Sequence, residues 1–72
     1  MQYNLQLLDV VALAGDRPEH GLWRGQVGTV VELLASRAFE GEFVDNQGHT
    51  YAMIALRAEQ LVLLHFEPAV PS

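Results

Sequence analysis

Apolar and polar positions alternate most cleanly over residues 39–43, where Phe39, Gly41 and Phe43 interleave with Glu40 and Glu42. A period of two marks a half-buried strand, so the phenylalanines are expected inward and the glutamates outward. Asp9-Val10-Val11-Ala12-Leu13 also reads as a strand, because paired valines fit a pleated surface. Residues 26–34, QVGTVVELL, place Val27, Thr29, Val31 and Leu33 on one face and Gly28, Val30, Glu32 and Leu34 on the other. Apolar groups on both faces suit a strongly bent strand serving two parts of a small barrel, with Val27 and Val31 expected to fill it. Residues 49–56, HTYAMIAL, return as a strand, and residues 61–66, LVLLHF, make the last one. Residues 1–8 leave strand and short helix equally open.

The connections fix how these strands join. Residues 14–24, AGDRPEHGLWR, carry a proline, two glycines and several charges, which makes them a loop. Leu22 and Trp23 within it are expected to fold back over the core as a lid. Ala35-Ser36-Arg37 turns the chain, and Asp45-Asn46-Gln47-Gly48 is a hairpin turn in which glycine supplies positive φ. Arg57-Ala58-Glu59-Gln60 is one helical or 3₁₀ turn. Pro68 and Pro71 stop regular structure in the tail, residues 67–72. There is no βαβ spacing. The economical arrangement is an all-β fold curled to hide its edges. We therefore expect one domain spanning residues 1–72, with a core over about 9–66. Its architecture is a small five-stranded SH3-like barrel with a long first loop and a short 3₁₀ turn before the last strand. An OB barrel is the competitor, and it usually needs more chain and a longer middle connection.

Composition narrows the class of protein. Half of the residues are apolar, more than a disordered chain carries, and there is no cysteine for a disulfide framework or a thiolate metal site. The start, MQYNLQLLD, lacks the basic and apolar regions of a secretory signal, and no apolar run approaches the ~20 residues of a membrane span. The expectation is a soluble cytoplasmic protein with no membrane partner. Nine acidic residues against four arginines and no lysine give a net charge of -5. Arg17, Arg24, Arg37 and Arg57 form no basic run, which argues against nucleic acid as a general partner. An acidic surface suits a basic partner, or simply solubility.

Candidate chemistry is sparse. Gly25-Gln26-Val27-Gly28 leads into a strand, whereas a dinucleotide fingerprint needs a helix there and a P-loop needs a lysine. Turn geometry at Gly25 and close backbone approach or a bulge at Gly28 explain the glycines better. His20, His49 and His65 have no metal-ligand spacing. Glu40 and Glu42 share a face but lack the cleft that acid-base chemistry needs. No serine-histidine-acid set exists. The expectation is no enzyme activity, no cofactor and no metal. What remains is an interaction surface: Trp23, Arg24, Glu40, Glu42 and Tyr51. Trp23 either helps to line a groove or seals one end of the core, and Arg24 stands at the rim.

The segments DVVAL, PEHGLWRGQVGTVVE, FEGEFVDNQGHTYAMIAL and AEQL together resemble, over residues 9–66, an uncharacterised bacterial family of short SH3-like proteins, the domain of unknown function numbered 4926. The resemblance implies a small β-barrel with no assigned activity, catalytic set or cofactor. Through an association of such proteins with toxin-like or nuclease-like neighbours, it also implies an antitoxin or accessory role toward a protein partner encoded nearby. The run Gly25-Gln26-Val27-Gly28-Thr29-Val30-Val31 is similar to the KOW motif of ribosomal and transcription-elongation proteins, without the basic residues that surround it there. The leading expectation is a non-catalytic protein-protein interaction module. A KOW-like nucleic-acid or ribonucleoprotein-associated domain is the alternative. The residues leave the oligomeric state open.

Overall fold

The computed structural model describes residues 5–65 and residue 68. Its strands are β1 (Val10–Leu13), β2 (Val27–Ala35), β3 (Ala38–Val44), β4 (Thr50–Arg57) and β5 (Leu61–Leu63), with 3₁₀ turns at Pro18–His20 and Ala58–Gln60. All pairings are antiparallel, in the order β4-β3-β2-β1-β5. The five expected strands and the 3₁₀ turn before the last one are present. Closure is not: β4 and β5 are the two edges of the sheet, and among the described residues no strand pairing joins them.

A sheet with one apolar face and no helix to lay over it covers that face by curling on itself. Inward residues from all five strands, Val11, Leu13, Val30, Phe39, Phe43, Leu56 and Leu61, accordingly gather in one core. Leu5, Leu22 and Ala58 complete it from the connections. β3 behaves as its pattern requires, with Phe39, Gly41 and Phe43 buried and Glu40 and Glu42 on the outer face. Gly28 and Gly41 make room for the Phe43 ring. A Cβ on Gly28 would lie 2.8 Å from Phe43 Cε2, and one on Gly41 would lie 3.4 Å from Cε1.

β2 departs from the simple alternation. Val30 pairs with Gly41 but Glu32 pairs with Glu40, so Val31 is an extra, bulged residue, and Leu34 is another. A bulge shifts every later side chain to the opposite face. Glu32 therefore joins the outer face beside Glu40, and Leu33 sits opposite Phe39. Val30 fills the core, while Val27 is exposed and Val31 only partly covered.

The ends also differ from expectation. β5 stops at Leu63, although the Leu64 N–H still donates to Val10 O at 3.0 Å. Phe66 and all of the tail except Pro68 lie outside the described residues. Leu5 is a core residue, and Leu8 follows with φ 72°, its N–H donating to Val30 O. Among the described residues, no helix is long and apolar enough to cross a membrane.

Candidate functional site

The first loop has an internal architecture that separates Leu22 from Trp23. Arg17 and Leu22 exchange backbone hydrogen bonds of 2.8 and 3.1 Å around the Pro18–His20 turn, which Gly21 closes with φ 69°. This pinch drives Leu22 into the core with no exposed surface and turns the next residue outward, leaving Trp23 56% exposed. Half of the expected lid is thus present: Leu22 seals and Trp23 does not.

Residues 23–26 then form a tight turn. The Gln26 N–H donates to Trp23 O at 3.1 Å, and Gly25 carries the positive φ, 93°, that an L side chain rarely adopts. Asp16 Oδ1 accepts the Arg24 N–H at 2.8 Å and holds the two arms of the loop together. The side chain of Gln26 works in two directions. Its Oε1 accepts the Trp23 N–H, and its Nε2 donates to the Tyr51 hydroxyl at 3.1 Å. Tyr51 is the extra residue of a bulge in β4, between Thr50 paired with Val44 and Ala52 paired with Phe43. Its ring lies tilted beside Phe43, with centroids 6.4 Å apart. Gln26 thereby joins two exposed aromatic positions that are 28 residues apart in the chain.

Glu42 belongs to the same neighbourhood, accepting the Thr50 hydroxyl hydrogen at 2.6 Å on Oε2. Glu40 stands farther along the outer face, directly opposite Glu32. Two carboxylates facing each other across strands repel. Among the described residues no cation forms an ion pair with Glu32, Glu40 or Glu42. The structure thus brings Trp23, Arg24 and Tyr51 to one end of the sheet and places Glu40 and Glu42 on the outer face beside it. Sequence reasoning missed Gln26. The signal available was a polar residue three after a tryptophan, across an Arg-Gly turn.

The arginines converge as their spacing does not suggest. Arg37 and Arg57 approach the two oxygens of Glu59 at 3.8 and 3.7 Å, while Arg17 pairs with Glu19 at 3.1 Å. Arg17 and Arg57 both line a shallow hollow of about 340 Å³ beside the 3₁₀ turn. Such exposed pairs contribute little stability. At the β3–β4 hairpin, Asp45 Oδ1 accepts the N–H groups of Gln47 and His49, both at 2.9 Å. These backbone donors, His49 first, hold the Asp45 carboxyl below the ordinary value. His49 is exposed beside Asp45, and His20 and His65 are exposed elsewhere. Among the described residues no three His, Asp or Glu side chains form a set that could hold a metal ion.

The family model described as Domain of unknown function (DUF4926) matches residues 7–63. No curated protein and no solved structure matches the chain.

Proposed function

The chain belongs to the DUF4926 family, and from that premise we propose that it is a non-catalytic protein-interaction module whose contact surface is the aromatic end of the sheet. The observation that carries this reading is the Trp23–Gln26–Tyr51 link. It fixes the Trp23 backbone and the Tyr51 ring relative to each other, so two exposed aromatic positions are presented with little backbone ordering left to lose on binding. Glu40 and Glu42 extend the surface with negative charge suited to a basic partner. The finer architectural reading, an SH3-like barrel with an open seam between β4 and β5, is supported by the strand order and by the 3₁₀ turn between them. An antitoxin or accessory role toward a neighbouring gene product fits the same surface.

The test is co-expression with the product of the adjacent open reading frame. A complex that survives gel filtration and is lost in Trp23→Ala and Tyr51→Ala supports the reading. A protein that stays monomeric and captures nothing counts against it. One observation favours the KOW-like alternative: Arg24 is exposed beside Trp23 and forms no ion pair among the described residues. On that reading RNA binds with strong salt dependence and Arg24→Ala abolishes the binding. No RNA binding at low salt removes the alternative.

A further inference from the structure

Among the described residues β4 is the long edge strand of the sheet, and its backbone shows which groups the ladder leaves unpaired. The Ala58 N–H donates to Arg37 O at 3.0 Å, toward the β3 side. The preceding Arg57 N–H points the other way and donates to Gln60 Oε1 at 2.8 Å. Backbone groups alternate along a strand, so Ala55 and Met53 share the outward direction of Arg57. The opposite end agrees. His49 O accepts from Asp45 on the β3 side, and the bulge at Tyr51 supplies the extra residue needed to keep Ala52 in phase. The N–H and C=O groups of Met53 and Ala55 therefore face outward, and no backbone hydrogen bond outside the ladder uses them among the described residues.

Edge strands are normally guarded by lysine, proline or an inward charge. Residues 51–56, YAMIAL, contain none of these, and Met53 is 51% exposed. The next row inward is acidic: Glu42 pairs with Met53, and Glu40 pairs with Ala55. A strand added to β4 would lie about 4.8 Å beyond it and about 10 Å from β3. An extended arginine opposite Ala55 crosses a methyl group before it meets Glu40, while Arg17 and Arg57, which line the same hollow as Ala55, border the far end of the stretch. A second copy of the chain is disfavoured on this edge because it brings its own Glu40 and Glu42 and a net charge of -5. Arg57, with its N–H already capped, ends the stretch.

We propose that β4 receives an extended basic segment of a protein partner by strand addition over Tyr51 to Ala55, with alternate basic side chains reaching Glu40 and Glu42. This inference rests on the interaction reading above and names the partner's chemistry. Main-chain hydrogen bonds at Met53 and Ala55 supply affinity, and the two carboxylates select charge.

A labelled peptide of sequence Val-Arg-Val-Arg-Val-Arg-Val is the probe, read by fluorescence anisotropy at low and moderate salt. Its counterpart with glutamate in place of arginine is the control. The basic peptide is expected to bind at least tenfold more tightly than the control and to slow amide exchange at Met53 and Ala55. Ala55→Pro removes an N–H that the β3 ladder does not use, and should weaken binding at least tenfold with the circular dichroism unchanged. Glu40→Gln combined with Glu42→Gln keeps the backbone intact and should weaken binding and flatten its salt dependence. Equal affinity for both peptides, or no binding of either, overturns the proposal. So does protection of the Met53 and Ala55 amides in the free protein, whether deletion of residues 66–72 or dilution of a dimer relieves it. If a partner co-purifies through Trp23 and Tyr51 but Ala55→Pro leaves the complex intact, the strand-addition inference falls and the interaction reading stands.

Discussion

Replacing Gly28 with alanine should be among the most damaging single-methyl changes in the molecule. The new Cβ would stand 2.8 and 2.9 Å from Phe43 Cε2 and Cδ2, and 3.0 Å from the Glu42 carbonyl oxygen. Carbon atoms in contact prefer about 3.5–4.0 Å, so the ring must retreat by roughly 0.7 Å or the strands must part. Phe43 has no exposed surface, and its far edge already faces Gly41. Overpacking of this kind costs about 1–3 kcal/mol. The stiffer unfolded chain returns about 0.4–1 kcal/mol. A net loss of about 1–2 kcal/mol corresponds to a fall in Tm of roughly 4–16 °C for a chain of this size. Urea and thermal unfolding followed by circular dichroism measure both. Gly15→Ala is the matched control, since nothing lies within 4 Å of its Cβ position. It should stay within about 0.5 kcal/mol of the parent. Combining Gly28→Ala with Phe43→Leu should cost less than the sum of the two by at least about 0.5 kcal/mol, because the clash disappears with the ring edge. A Gly28→Ala protein as stable as the parent would refute the close-packed slot.

Three further outcomes follow from separate parts of the structure. Leu22→Ala, although in a loop, should cost about 2–5 kcal/mol in urea unfolding, as for a core leucine. Arg37 adopts φ 63° at the β2–β3 turn, where asparagine is better suited. Arg37→Asn should therefore recover part of the roughly 1–2 kcal/mol that the left-handed region costs an ordinary side chain, and urea unfolding should show a net gain because the exposed Glu59 pair at 3.8 Å contributes little. Asp45, whose folded pKa lies below the ordinary 3.8, stabilises the hairpin fully above that pH. Asp45→Ala should be less stable than the parent at neutral pH, and the gap should close as the pH falls below 3.8 through the lower folded value. Parallel melts of the two proteins across that range test it.

Local geometry was readable from the sequence where it depends on near neighbours. The alternation around Phe39 and Phe43, the Asp45–Gly48 turn, the left-handed Gly25 and the crowded Gly28 are all such cases. The parity of β2 was not readable. Val31 and Leu34 are apolar residues like those around them, and nothing in their chemistry marks them as bulged. The lid failed at one residue because adjacent apolar side chains on a pinched loop must point apart, so Leu22 and Trp23 could not both enter the core. The meeting of Arg37 and Arg57 at Glu59 arises only when the turn after β2 is laid beside the turn after β4. The Gln26–Tyr51 hydrogen bond likewise needs the curled sheet. For the candidate surface, residue type alone nominated the aromatics and the acids, while the polar residue that joins Trp23 to Tyr51 is visible only in three dimensions.

The slot around Phe43 also makes that ring a clock for the motion of the sheet. Gly28 on β2 borders one edge of the ring and Gly41 on its own strand borders the other. A half-turn about the Cβ–Cγ bond carries both edges out of those slots and through the space over the ring faces, which the close-packed core fills around a ring with no exposed surface, so the ring can flip only while that packing loosens. Its two sides should give distinct proton resonances at low temperature that merge on warming. The rate of merging then reports how often the interior breathes, in a chain with a single small core.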